Sequence, residues 1–152
     1  MANTYTQLFI QAIFVVKGRD NIIKSNWKDE LYKYITGIIK NKKNTLLAIN
    51  GIPNHIHLLF ALNPDYSLSS LMKEVKRCSS LFINENKWVV GKFEWQPGYG
   101  AFSYSKSQID AVCKYIMNQE QHHKVKTFRE EYEEFLKKYN IQYDKRYIFS
   151  DV

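Results

Sequence analysis

Two histidines separated by one residue, His55 and His57, are the first groups in the chain able to do chemistry. On a strand, side chains two apart point to the same face. The imidazoles then project together, while Ile56, Leu58 and Phe60 point into the opposite layer. Two convergent imidazoles can chelate one metal ion. The same alternation makes any His-x-His pair convergent, so two hydrogen-bonded histidines on a sheet are the plain alternative. Tyr115 and Gln119 form the second group. On a helix, i and i+4 share a face, so phenol and amide project together. A helix laid on the sheet face that bears the histidines would bring the Gln119 carbonyl oxygen to the metal, with Tyr115 beside it. His122 and His123 are adjacent, and neighbouring helical residues diverge too far around the axis to serve one site together. They read as surface or interface histidines.

The elements that must position these groups follow from patterning. Tyr5–Lys17 is rich in β-branched and aromatic residues and reads as a strand closed by Gly18. Trp27–Lys40 has helical spacing. Asn44–Ile52 and His55–Leu62 read as a hairpin around Pro53-Asn54. A helix is expected from Ser67, its cap, to Glu85, with Leu68, Leu71, Met72, Val75, Ser79 and Phe82 on one face. Phe93–Gln96 and Ala101–Tyr104 read as short extended pieces. Ser107 with Asp110 resembles a helix start, and Ile109, Val112, Cys113 and Ile116 then point inward. Thr127 and Glu130 form a capping box for a last helix whose stripe is Phe128, Tyr132, Phe135, Leu136 and Tyr139. The first six elements match the split βαβ order of ferredoxin-like folds. The expected class is therefore α+β: an antiparallel sheet with helices packed on it, plus C-terminal helices.

Composition bounds the partners. A chain of 152 residues with 45% hydrophobic and 15% aromatic residues builds one globular domain. Its net charge is +7, and the surplus sits in the first two thirds, around Lys17–Lys43 and Lys73–Lys92. That suits a polyanionic partner such as nucleic acid, though an ordinary solvated surface reads the same way. Lys17, Arg19, Lys73, Lys76 and Arg77 are candidate phosphate contacts. Trp95 and Tyr99 either stack on unpaired bases or pack in the core. Cys78 and Cys113 lie in apolar helical patterns and read as small buried hydrophobes. The apolar stretch Leu8–Val16 is too short to span a bilayer. No membrane partner is expected, and the location is read as cytoplasmic.

Several segments together resemble a known family. They are Gly51-Ile-Pro-Asn-His55-Ile-His57-Leu-Leu, Ser67-Leu-Ser-Ser-Leu-Met-Lys73, Trp95-Gln-Pro-Gly-Tyr-Gly-Ala-Phe-Ser103, Tyr115-Ile-Met-Asn-Gln119-Glu-Gln-His122-His123 and Tyr143-Asp-Lys-Arg-Tyr147. In that order they look like the single-tyrosine HUH transposases of small insertion sequences, the IS200-like transposases. His-hydrophobe-His joined to Tyr-x-x-x-Gln about sixty residues later is a specific combination. The resemblance implies that His55 and His57 are metal ligands, Gln119 the third ligand and Tyr115 the nucleophile. It implies a divalent ion, Mg2+ or Mn2+, and single-stranded DNA with hairpins at element ends as substrate. It also implies a homodimer in which the tyrosine helix of one subunit completes the histidine site of the other. Such proteins often carry Asp before the first histidine. Here the residue is Asn54, which leaves the ligands intact. The alternatives are a related HUH nickase, a DNA-binding protein that keeps the fold without the chemistry, and a metallohydrolase that would not need Tyr115.

Overall fold

A computed structural model describes residues 3–18, 22–124, 126–144, 146 and 148. Four runs rich in β-branched and aromatic residues form one antiparallel sheet. They are β1 (Phe9–Val15), β2 (Thr45–Ile52), β3 (His55–Ala61) and β4 (Gly100–Tyr104), in the spatial order β2-β3-β1-β4. This is the α+β, ferredoxin-like arrangement that the order of elements predicts. β1 is shorter than Tyr5–Lys17, because its ladder pairing with β3 runs only from Phe9 to Val15. The extended piece at Phe93–Gln96 reduces to a single bridge between Trp95 and Val16.

Strand alternation assigns each residue to a face. Ala12, Phe14, Ile56, Leu58 and Phe60 point one way, against Leu31, Ile35 and Ile39 of α1 (Lys28–Asn41) and Leu71, Met72 and Val75 of α2 (Leu68–Glu85). The Ser67 hydroxyl caps α2 by accepting the Ser70 N–H. The opposite face carries two smaller cores. Phe9, Ala48 and Leu59 meet Ile109, Val112 and Ile116 of α3 (Ile109–Met117). Ile13, Val15 and Phe102 meet Phe128, Tyr132 and Leu136 of α5 (Phe128–Lys138). Helices cover both faces, which is why β1 is buried along almost its whole length rather than on alternate residues.

The start of α3 differs from the expected Ser107 cap. A capping box of Ser105 and Gln108 opens a short 3-10 turn, Lys106–Gln108, which feeds α3. Asn118 then interrupts the helix before α4 (Gln119–His122). Thr127 caps α5 by accepting the Glu130 N–H. Gly100 matters to the seating of α5: a Cβ there would lie 2.7 Å from the Tyr132 ring. Cys78 and Cys113 are half-buried and free, not fully buried. Among the described residues, no helix is long and apolar enough to cross a membrane.

Candidate metal and tyrosine site

The gap between the two small cores is filled by polar side chains. His57 pairs across the sheet with Ile13, and His55 with Val15. Both imidazoles therefore rise from the face that α3 and α5 cover. The break at Asn118 lets α4 turn over that face. Asn50, the β2 partner of His57, fixes the break by donating through Nδ2 to the carbonyls of Ile116 and Met117, each at 3.1 Å. Gln119 arrives above the histidines with its Oε1 3.0 Å from His55 Nε2. Tyr115 stands one turn earlier, its ring centroid 6.0 Å from that of His57. The structure thus brings His55, His57, Tyr115 and Gln119 of one chain together, where the family resemblance implied a tyrosine helix supplied by a second copy.

Three further residues enter that sequence reasoning did not assign to the site. Glu131 comes from α5 and is 3% exposed, beside His55, His57 and Gln119 at 0%. Its Oε1 lies 3.2 Å from His57 Nε2 and 3.6 Å from His55 Nε2. Its Oε2 accepts hydrogen bonds from the Tyr115 hydroxyl and from Gln119 Nε2. One carboxylate therefore spans the histidines and the phenol. His123 places Nε2 3.2 Å from Gln119 Oε1 and 3.3 Å from Glu131 Oε1. His123 was expected at the surface or an interface because neighbouring helical residues cannot share one site, but one of the pair alone can face it, and His123 does. Gln11, fully buried on β1, lies behind His57.

The outer nitrogens of the imidazoles are all anchored. His55 Nδ1 donates to Asn54 Oδ1 at 2.6 Å, His57 Nδ1 to Gln11 Oε1 at 2.7 Å, and His123 Nδ1 to the Lys126 carbonyl at 2.9 Å. Gln11 is itself oriented, because its Nε2 donates to the Tyr104 hydroxyl at 2.7 Å. Such outer partners fix the tautomer and leave Nε2 as the ligating atom. Asn54 supplies its oxygen without a charge.

Burial first, then the charge of His57, holds the His55 imidazole well below the usual histidine range. Neutral His55 therefore presents a lone pair to the Gln119 oxygen, and no proton lies between them. Turning the Gln119 amide over does not help, since its oxygen would then face the Glu131 carboxylate. Either way a buried pair of acceptors is left facing each other, which is costly unless a cation joins them. Burial raises the Glu131 carboxyl, but its hydrogen bonds with the His123 and His57 rings outweigh it and hold the group ionised. Positive charge at this spot is thus favoured, and either protons on the imidazoles or a metal ion can supply it. His55, His57 and Glu131 offer ligand atoms within 4.8 Å of one another. Metal–ligand bonds of about 2.1 Å place neighbouring donors about 3.0–3.4 Å apart, close to the separations seen here. The donor set fits a divalent ion.

Tyr115 is neutral at rest. Burial, then the Glu131 charge, raises its phenol above the usual tyrosine range. A cavity of about 440 Å³ opens beside it, lined among others by Gln11, Tyr104, Gln108, Phe135 and Lys138.

The basic candidates divide. Lys17, Lys76 and Arg77 line one groove of about 390 Å³ with Lys92. Lys76 is already engaged there. Its Nζ donates to the carbonyls of Gln96 and Gly98, both at 2.7 Å, so it pins the loop before β4. Lys17 pairs with Glu94 at 3.4 Å and Arg77 with Glu74 at 3.3 Å, both at exposed positions. Lys73 is exposed on α2, one turn before Arg77. Arg19 lies outside the described residues. Trp95 is a core residue, its indole N–H donating to the Ser79 hydroxyl, and Tyr99 packs against the same core.

Comparison with known proteins places this geometry. Residues 4–119 match the family described as "Transposase IS200 like". The chain is 26% identical over 120 residues to the ISDra2 transposase TnpA of Deinococcus radiodurans, an alignment that covers 74% of this chain and 84% of that protein. A candidate transposase from Deinococcus radiodurans R1 superposes with a TM-score of 0.62 at 21% identity, covering 78% of this chain and 95% of that one. A REP-associated tyrosine transposase bound to a REP hairpin superposes with a TM-score of 0.60 at 18% identity, covering 84% of this chain and 76% of that one.

Proposed function

Since the chain belongs to the IS200-like transposase family, we propose that it cleaves and rejoins single-stranded DNA at the ends of an insertion element, with Tyr115 as nucleophile and His55, His57 and Gln119 holding a divalent ion. The observation that supports this reading is the convergence, within one chain, of a buried tyrosine hydroxyl and the inward-facing nitrogens of His55 and His57.

The chemistry assigns each residue a task. Tyr115 Oη attacks the scissile phosphorus. An O–P bond forms, the bond to the 3′-oxygen breaks, and that oxygen takes up a proton from solvent to leave as a 3′-hydroxyl. The 5′-phosphate remains on the tyrosine, so the phosphodiester energy is kept and a second DNA hydroxyl can reverse the step. An ordinary phenol titrates near pH 10, and here it is held higher still. It must therefore shed its proton as the new bond forms. That proton already rests on a hydrogen bond to Glu131 Oε2. His55, His57 and Gln119 would hold a divalent ion, which would polarise a non-bridging phosphate oxygen. The rigid sheet under His55 and His57, and Asn50 under the end of α3, hold phosphate and phenol in reach of each other.

The DNA partner follows from the family and from the basic groove. A relative of the same fold binds a REP hairpin, and a hairpin at the element end is the substrate we propose here. Lys17, Arg19, Lys73 and Arg77 are its proposed phosphate contacts. Joining two ends requires two sites at once, which favours a homodimer in which each copy works on its own tyrosine.

The test is incubation of the protein with single-stranded element-end DNA and manganese or magnesium. A covalent protein–DNA adduct is expected, and Tyr115→Phe should lower its yield by at least about a thousandfold. Cleavage that persists in Tyr115→Phe points to a water nucleophile instead. Mixing Tyr115→Phe with His57→Ala protein reads the assembly. A site complete in each chain gives no recovery of adduct, whereas recovery means that the tyrosine crosses between copies.

A further inference from the structure

Burial closes the metal and tyrosine site from most directions. His55, His57, Gln119 and Glu131 are all buried, yet a substrate phosphate has to reach them. The cavity of about 440 Å³ is lined by both Tyr115 and Glu131, so it opens onto the nucleophile. Its size falls within the range of about 300–1,000 Å³ typical of ligand pockets, with room for one nucleoside. Tyr104 and Phe135 give it aromatic walls, and the small side chain of Ala111 on α3 leaves space beside them. Phe102 backs the Phe135 ring at 4.9 Å between centroids, and Tyr115 meets that ring edge-on at 5.9 Å, so the wall is held in place. Polar groups are few. Gln108 Oε1 accepts the Ser105 N–H at 2.9 Å, which leaves the Gln108 amide N–H groups as donors. Lys138 is exposed at the same cavity. The Glu134 carboxylate also lines it, its charge offset by Lys126 Nζ at 2.7 Å. A ring-walled, mostly apolar cavity with a few donors suits a nucleobase, whose faces stack and whose edges accept hydrogen bonds.

We propose that this cavity holds one unpaired nucleotide of single-stranded DNA, the one directly 3′ of the scissile phosphate, which stays joined to Tyr115 after cleavage. The choice of nucleotide rests on the tyrosine chemistry proposed above and follows from its stereochemistry. Attacking and leaving oxygens lie in line through phosphorus, so the 3′-oxygen and its nucleotide depart on the side away from Tyr115. The two non-bridging oxygens and the 5′-oxygen lie around the equator, and the 5′-oxygen leads to the nucleotide that is kept. A cavity on the flank of the attacking ring therefore meets the retained nucleotide rather than the departing one. Stacking on Phe135 holds the covalently bound 5′ end in place while one 3′-hydroxyl leaves and another enters. Lys138 supplies a charge for the next phosphate of the retained strand.

The experiment measures the affinity of the full chain for single-stranded element-end DNA from which one base at a time is removed along the strand. Tyr115→Phe is the background, since it keeps the ring and prevents cleavage, and the wild-type adduct maps the cut. Removing the base directly 3′ of the cut should weaken binding about tenfold, and removing the base directly 5′ of it should do less. Phe135→Ala should weaken binding of the intact strand about tenfold and leave binding of the strand that lacks the 3′ base unchanged, while Phe135→Trp should bind both as the parent does. Ala111→Leu narrows the cavity from an exposed helical position, so it spares the core and should weaken only the strand that keeps the base. A general loss of fold would instead weaken both strands. Protein and DNA penalties that add in full at the 3′ base overturn the proposal, and so does a base-removal effect that peaks 5′ of the cut. Adduct formation is scored separately. An adduct with additive penalties removes the pocket and leaves the tyrosine chemistry standing. A base position coupled to Phe135 and Ala111 without any adduct keeps the nucleotide pocket and removes the tyrosine chemistry.

Discussion

The two faces of the sheet are made by the same two central strands, and they are built differently. On one side Ala12, Phe14, Ile56, Leu58 and Phe60 join α1 and α2 in one continuous hydrocarbon layer. On the other, one residue along each strand, the layer is split in two. His55, His57, Gln11, Gln119 and Glu131 fill the split, all of them buried. An apolar layer stabilises by area and tolerates no partnerless polar atom. The polar seam is tolerable because nearly every donor in it meets an acceptor, and the remaining conflict among acceptors is what a cation resolves. The fold thus separates two tasks. One face holds the sheet together, and the other spends part of its burial on chemistry.

The comparison breaks first if the continuous face does not dominate stability. Phe60 is fully buried there, and Phe60→Ala should cost about 3–5 kcal/mol in chemical denaturation. Leu136→Ala, in the smaller core under α5, should cost less, about 2–3 kcal/mol. A reversed ranking would mean that the divided face carries the fold.

The second prediction concerns the seam. If its converging acceptors await a cation, Mn2+ at about a hundred times its dissociation constant should stabilise the wild type by about 2.7 kcal/mol. His57→Ala should lose most of that gain, whereas Phe60→Ala should keep it. Thermal unfolding with and without metal reads all three proteins. A His57→Ala protein that gains as much as wild type would place the ion elsewhere.

The same contrast explains what the sequence made legible. The continuous face was readable from periodicity alone, because Leu31, Ile35 and Ile39, or Leu71 and Val75, recur at the helical interval. Half of the seam was readable too. His55 and His57 sit two apart on a strand, and Tyr115 and Gln119 sit four apart near a helix end. Glu131 was not singled out, although it left a signal: it lies three residues after Phe128 and four before Phe135, inside the apolar stripe of α5. Gln11, two residues from Phe9 and from Ile13 on the inward side of β1, left the same kind of mark. A polar residue at an inward position asks for a partner, but spacing along one element cannot say which residue on another element answers. The helix break at Asn118, which aims Gln119 and His123, depends on Asn50 across the fold and has no local signature. The pinning role of Lys76 was hidden for a related reason, since its two carbonyl partners belong to the loop before β4.

The smallest expected effect sharpens the difference between a cation that binds the fold and one left for a ligand. Lys76 and Lys73 share α2 and look alike in sequence. Lys76→Ala removes two charge-assisted hydrogen bonds at a half-buried site, so it should lower stability by about 1–2 kcal/mol. Its effect on DNA affinity should come through the displaced loop and leave the salt dependence unchanged. Lys73→Ala at its exposed position should change stability by less than about 0.5 kcal/mol. If Lys73 touches a phosphate, the slope of log affinity against log salt for single-stranded DNA should fall by about 0.7. Titrations at several salt concentrations separate the two outcomes. An unchanged slope in Lys73→Ala takes that residue off the DNA path, and a reduced slope in Lys76→Ala means that DNA competes with the Gln96 and Gly98 carbonyls for its ammonium group.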